Sequence, residues 1–220
     1  ETALAGVGVC GPVVTLIGAF ASLIGVGGAP LMSINMGAGR EDEARRILSN
    51  SFLILCVCAV VLTAAVFPLQ RPMLMFFGAS ETTYPYAEEY FSIYLCGTAF
   101  NLLSLGMNQF IISQGFAKKG MFSVVLGAAL NIVLDPLFIF VFDMGVAGAA
   151  VATVLSQLAS CVYVLCVLFG RTVPVRIGFG RYSLRLVGRI LVTGISPFLI
   201  IFVDSIMIIS MNAVLQSYGG

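Results

Sequence analysis

Apolar residues along this chain come in runs too long for strands and too continuous for helices with one wet face. Six stretches reach the roughly 20 residues a helix needs to cross a hydrocarbon layer. They are about Leu4–Met36, Ile47–Phe67, Tyr90–Ser113, Met121–Phe142, Val146–Phe169 and Ile190–Leu215. The pattern predicts an all-α, polytopic membrane protein with six transmembrane helices. The first stretch is long enough to be tilted or broken, with Pro12 and Pro30 as the expected break points. Pro197 is expected to kink and hinge the sixth, which leads into it through Gly194-Ile195-Ser196. Breaks at membrane depth survive only where protein or a water-filled cavity satisfies the freed backbone groups.

The polar segments between the runs set an orientation. Arg40, Arg45 and Arg46 follow the first run, Lys118 and Lys119 the third, and Arg171, Arg176, Arg181, Arg185 and Arg189 the fifth. The intervening segments carry Arg71 against Glu81, Glu88, Glu89 and Asp143. Ten of the 11 Lys and Arg residues thus fall on one side of an alternating topology. The positive-inside rule makes that side cytoplasmic and turns both ends of the chain outward. Within residues 170–189, Arg181, Arg185 and Arg189 recur every four positions among Tyr182, Leu184, Leu186 and Val187. That spacing suits a cytoplasmic amphipathic connector, a short interfacial helix presenting cations to anionic headgroups. A plain topogenic loop or a hinge between two halves are the other readings.

Composition narrows the class. The chain is 60% hydrophobic and 10% charged with a mean hydropathy of +1.07, whereas a soluble domain carries roughly 25% charged residues. A water-soluble globule is excluded. The net charge of +1 gives no reason to expect a nucleic-acid partner. With no His, imidazole metal sites and Ser-His-Asp triads are excluded. The six cysteines lie in apolar runs without CxxC spacing and read as small buried hydrophobes. The chain opens at Glu1 and ends in mid-pattern at Gly219–Gly220, as a piece of a longer protein would. No signal peptide or lipid-anchor motif is visible, and several spans make one unnecessary.

Against this apolar background two carboxylates stand inside runs: Asp135 and Asp204. An ionised Asp at mid-bilayer costs about 2.5–3.5 kcal/mol on insertion scales, so each calls for an explanation. Asn131 and Asp135 are four apart and share one helix face, and Pro136 removes a backbone donor beside them. A carboxylate, an amide oxygen and loosened carbonyls form a hard-oxygen cage suited to a proton or Na⁺. Thr153 on the next helix is placed to complete it, on the row Gly145, Ala149, Thr153, Gln157. Beside that row runs Gly148, Ala152, Ser156, Ser160, a small-residue seam for close helix packing. Phe138 and Phe142 extend the acidic stripe, and Asp204 shares a face with Met207 and Met211, whose flexible thioethers suit varied ligands. Packing and interhelical hydrogen bonding are the plain alternatives for each.

The run Gly115 to Gln157, with Asn131-x-x-x-Asp135-Pro136 and Gly145-Val146-Ala147-Gly148-Ala149-Ala150-Val151-Ala152-Thr153, resembles the multidrug and toxic compound extrusion (MATE) family. The likeness extends to Met36-Gly37-Ala38-Gly39-Arg40-Glu41-Asp42-Glu43-Ala44-Arg45 and to Gly194-Ile195-Ser196-Pro197, and is strongest to the bacterial DinF-like branch. It implies a twelve-helix, two-lobe transporter of which this chain holds helices two to seven. Residues 1–169 would be five spans of the amino-terminal lobe, 170–189 the connector, and 190–220 the first helix of the second lobe. It implies a plasma-membrane exporter of lipophilic or aromatic cationic compounds, coupled to H⁺ or Na⁺ and needing no other cofactor. Asp135, Asn131 and Thr153 would bind the coupling cation together with an Asp on a helix this chain lacks. Asp204, Met207, Met211 and Phe138 would line the substrate path, and Pro136 and Pro197 would act as hinges. Small organic cations and membrane lipids are the expected partners, with a monomer as the default state.

Two other readings remain at this stage. A lipid-linked oligosaccharide flippase of the same superfamily would need cationic side chains for a pyrophosphate, and no Lys or Arg lies within the six runs. An intramembrane aspartyl protease would pair Asp135 with Asp204, but Leu134-Asp135-Pro136 and Val203-Asp204-Ser205 lack the Tyr-Asp and Gly-x-Gly-Asp settings of those enzymes. A transporter, not an enzyme, is the expectation.

Overall fold

The computed structural model describes residues 2–180 and 182–219. Arg181 and the chain ends Glu1 and Gly220 lie outside the described residues. The helices are α1 (Thr2–Gly37), α2 (Glu41–Phe76), α3 (Tyr84–Cys96), α4 (Thr98–Ser113), α5 (Ala117–Pro136), α6 (Gly145–Phe169) and α7 (Leu184–Gly219), with a π turn at Leu137–Val141 after α5. No strand occurs among the described residues.

Turn chemistry sets the helix ends. Gly39, at φ +72°, takes the left-handed conformation that closes α1, and the Arg40 amide bonds back to the Asn35 carbonyl at 2.9 Å. Glu41, Asp42 and Glu43 then fill the first turn of α2, where negative charge complements the exposed amides.

Five helices are each long and apolar enough to cross a membrane: α1, α2, α5 with its π turn, α6 and α7. The third expected span is a bent pair, α3 and α4, meeting at 57° across Gly97. A Cβ on Gly97 would stand 2.6 Å from Val154 Cγ2, so α6 presses directly on the break. The break points expected at Pro12 and Pro30 do not interrupt their helix. Helix α1 runs unbroken through Pro12 and Pro30, and α7 through Pro197. One lost backbone bond at a proline is tolerated there because neighbouring helices pack around it.

Helix α1 is central, packing on α7, α4, α2 and α3, while α4 packs on α6, α2 and α5. Tyr94, Phe91, Phe110, Ile24 and Met32 are fully buried between them. Helices α1 and α7 cross backbone to backbone at Gly27 and Gly194, where a Cβ on Gly27 would be 2.8 Å from the Gly194 nitrogen. The small-residue seam on α6 is buried as expected at Gly148, Ala152, Ser156 and Ser160. The Ser160 hydroxyl donates to the Ser123 carbonyl on α5 at 2.9 Å.

The connector corrects the sequence reading. Among the described residues from Gly170 to Ser183 no helix forms, so the connector holds no separate helix, and Leu184, Arg185, Leu186, Val187 and Arg189 of the expected amphipathic stretch are the first turns of α7. The chain instead runs as a strap whose alternate residues Val173, Val175 and Ile177 are buried. Side chains of the bundle hold its backbone. Gly178 N–H donates to Ser49 Oγ at 3.0 Å, Ser183 N–H to Asn50 Oδ1 at 3.0 Å, and Val175 N–H to Gln114 Oε1 at 2.9 Å. Lys119 Nζ donates to the Thr172 carbonyl at 3.0 Å. The three basic segments therefore meet at one end of the bundle. Arg71 stands over the Tyr84 ring, 5.5 Å from its centroid, in the acidic segment between α2 and α3.

Candidate functional site

Helix α5 carries the acidic pair as its spacing requires. Asn131 Nδ2 donates to Asp135 Oδ1 at 3.0 Å, one turn apart. Pro136 ends the regular α-helix, and the chain widens into the π turn, with Phe142 N–H bonded to the Leu137 carbonyl at 3.0 Å. Such π turns recur at functional sites because they redirect carbonyls out of the helix ladder. Thr153 reaches the same region from α6, its hydroxyl donating to the Ala149 carbonyl at 2.9 Å. The Tyr90 hydroxyl, from α3, sits beside Thr153 and within the field of Asp135. Helices α3, α5 and α6 thus bring one carboxylate, one amide and two hydroxyls together. The Tyr90 ring stacks on Tyr94, centroids 6.3 Å apart. Sequence reasoning missed Tyr90. Its signal was the Tyr90–Tyr94 spacing, two hydroxyls on one face of a membrane span that must each find a partner.

Beside Asn131 and Thr153 lies a cleft of about 260 Å³ between α4, α5 and α6. Asn101 and Asn108 face it from α4, Ser123 and Asn131 from α5, and Thr153 and Gln157 from α6. Asn101 Nδ2 donates to the Tyr94 hydroxyl at 2.7 Å, and Gln157 lies near the same oxygen. Gln157 Oε1 is buried without a partner. A hydroxyl has one hydrogen. Those of Ser104, Thr153 and Ser156 are committed to carbonyls of their own helices, and that of Ser160 to α5. Their oxygens therefore turn lone pairs to the cleft. No Lys or Arg lines it. An acceptor-rich, low-dielectric surface next to a carboxylate suits cations and hydrogen-bond donors and opposes anions.

The remaining sequence candidates fall in two places. Phe138, half-buried in the π turn, packs its ring against Phe142 at 5.5 Å and stays beside the acidic pair. Asp204, Met207 and Met211 are exposed on α7, which packs on α1 and α2, so the structure does not bring them to this cleft. Asp135 and Asp204 form no dyad. Among the described residues no cluster of three His, Cys, Asp or Glu side chains is placed to hold a metal.

Membrane-length helices around an acceptor-lined cleft, with one carboxylate at a helix irregularity, define an integral membrane protein of the transporter class. The chain belongs to the MatE family, whose model matches residues 1–137. It is 25% identical over 211 residues to the multidrug export protein MepA of Staphylococcus haemolyticus, covering 94% of this chain and 46% of that protein. MepA of Staphylococcus aureus is 24% identical over 210 residues, covering 94% and 47%. An inward-facing multidrug resistance MATE family transporter of the MOP superfamily superposes with a TM-score of 0.94 at 30% identity, over 100% of this chain and 50% of that one. A MOP superfamily transporter from Pyrococcus furiosus, whose binding pocket is of reverse polarity, superposes with a TM-score of 0.88 at 30% identity, over 94% of this chain and 46% of that one. The chain spans about half the length of the relatives it matches.

Proposed function

We propose that this chain is half of a cation-coupled multidrug exporter of the bacterial plasma membrane, acting as a monomer with its basic end in the cytoplasm. Its cargo is a lipophilic, often aromatic organic cation, and H⁺ or Na⁺ drives export. The observation that carries this reading is the Asn131–Asp135 pair at a helix irregularity, beside a cleft lined by acceptors and free of Lys and Arg. The positive-inside distribution of the arginines supports the orientation.

The coupling ion is handled by Asp135, with Asn131 and Thr153 supplying further oxygens. Neutral or cation-paired, Asp135 is compatible with a closed, dry helix packing. Charged and alone, it favours an arrangement that readmits water or a cationic guest. A ligand shifts such an equilibrium only by its differential affinity for the two states. Competition between the coupling ion and a cationic cargo for one negative region supplies that difference. Pro136 and its π turn give α5 a place to bend, and Phe138 flanks the route. In this reading Asp204, Met207 and Met211 line the cargo's path on the second lobe's side, and Pro197 is the matching hinge. An anionic, lipid-linked cargo finds no cationic side chain at the cleft.

The test is dye accumulation in cells lacking their own pumps, expressing the full-length parent or Asp135→Asn, with and without Na⁺ and with a protonophore. Reduced dye with the parent, lost in the variant at equal membrane expression, is expected. Unchanged efflux in Asp135→Asn refutes the coupling role.

A further inference from the structure

At the basic end, the first turns of α2 and the connector enclose a pocket of about 330 Å³ that plays no part in the proposed transport site. Its walls are Asp42, Arg45, Arg46, Ser49 and the backbone of Gly178 to Gly180. Arg46 Nη1 pairs with Glu43 at 2.6 Å, yet its Nε–H is buried and lacks an acceptor. Leaving a guanidinium N–H dry and unpaired is costly, so the Arg46 charge is only partly satisfied by the chain itself. Arg45 lies across the connector, where a Cβ on Gly178 would be 2.7 Å from its Nε. Neither Arg45 nor Asp42 makes an ion pair among the described residues. On the far side of Arg45 a second hollow of about 300 Å³ reaches Arg176.

Charges of both signs thus stand unpaired on one rim. A simple anion would meet Asp42, and a simple cation would meet Arg45. A zwitterion satisfies both, its phosphate on the arginines and its ammonium on the aspartate. The site also has an apolar extension. Phe179, 79% exposed, stacks on Phe169 at 6.0 Å, and Phe169 meets Phe52 edge-on at 5.8 Å. Arg45, Ser49 and Phe52 are spaced i, i+4, i+7 and share one face of α2. At 1.5 Å per residue the aromatic ladder therefore descends about 10 Å from the arginine into the span. Polar head site and apolar ladder together match an amphiphile lying along α2.

We propose that this pocket binds the headgroup of a zwitterionic aminophospholipid, phosphatidylethanolamine in type, with one acyl chain along Phe179, Phe169 and Phe52. The phosphate is held by the Arg45 and Arg46 guanidinium groups, and the primary ammonium donates to Asp42. A trimethylated headgroup cannot make that last bond, and an anionic one leaves Asp42 unanswered. Because the connector's Gly178 N–H is held by Ser49 in the same wall, the lipid staples the strap to α2.

The test uses the full-length parent, delipidated in detergent and titrated separately with phosphatidylethanolamine, phosphatidylcholine and phosphatidylglycerol. Bound lipid is counted by native mass spectrometry. Phosphatidylethanolamine is expected to be retained over phosphatidylcholine by up to about fivefold, the worth of one exposed ion pair. Asp42→Asn should erase that preference while keeping total phospholipid, and Arg45→Gln should lower binding of all three. Equal retention of the ethanolamine and choline lipids by the parent overturns the proposal, as does a preference that survives Asp42→Asn. Stronger retention of phosphatidylglycerol points to plain anion attraction and also overturns it. Displacement by free O-phosphoethanolamine at equal concentration would assign the pocket to a soluble head group and overturn the lipid reading.

Discussion

The crossing of α1 and α7 offers a sharp test of the packing. A Cβ on Gly194 would overlap the Leu23 carbonyl oxygen and stand 2.7 Å from its carbon. Carbon atoms rest at about 3.5–4.0 Å, so Gly194→Ala must part the helices by about 1 Å to clear the carbon and further to clear the oxygen. Both obstructing groups are backbone, and no side-chain rotation relieves them. Overpacking of this kind costs about 1–3 kcal/mol. The substitution also gains about 1 kcal/mol of helix propensity, which would mask part of the loss. Gly188, six residues earlier in α7, has no atom within 4 Å of a built Cβ. Gly188→Ala gains the same propensity without the clash, so the difference between the two variants isolates the overpacking. In thermal unfolding of the full-length parent, Gly194→Ala should melt below Gly188→Ala, by less per kcal/mol than the roughly 2–4 °C of a 150–250-residue chain because the parent is longer. Equal melting temperatures, or Gly194→Ala the higher, would refute the backbone-to-backbone crossing.

Two further outcomes follow from hydrogen bonding. Asn50 is fully buried, accepts from Ser183 N–H and donates to the Arg46 carbonyl, so Asn50→Ala should cost about 1–3 kcal/mol. Limited trypsinolysis should then cut faster at Arg171 and Arg176, and an unchanged cleavage rate would show that the strap does not depend on this bond. Gln157→Leu takes a polar amide from beside the Tyr94 hydroxyl, which keeps Asn101, but removes a buried oxygen without a partner. The two effects oppose each other, and the melting temperature should move little. A drop as large as that of Gly194→Ala would mean that a water or cation occupies Oε1.

What the sequence made legible, and what it concealed, divides along one physical line. Burial of apolar length in a bilayer is a solvent effect, readable residue by residue. The helical runs, the clustering of basic loops at one end and the buried seam of Gly148, Ala152, Ser156 and Ser160 all follow from it. The Asn131–Asp135 bond is legible for a related reason, since two costly polar groups four apart on a helix satisfy each other. Helix breaks obey a different cause. Pro12, Pro30 and Pro197 announce lost hydrogen bonds, yet their helices continue, while the break falls at Gly97, where Val154 of α6 leaves no room for a side chain. That contact is between elements far apart in sequence, and nothing local encodes it. The connector is a mixed case. The four-residue arginine spacing suggested a helix, but Val173, Val175 and Ile177 alternate with polar or helix-breaking neighbours, the period-two signature of an extended segment with one buried face. The two patterns are successive: the alternation fills 173–177, and the arginine spacing runs on into α7. The buried valines decide it because Ser49, Asn50 and Gln114 are waiting with side-chain acceptors for the strap's amides, whereas a helix there would satisfy its own amides and leave those three acceptors facing the strap unanswered.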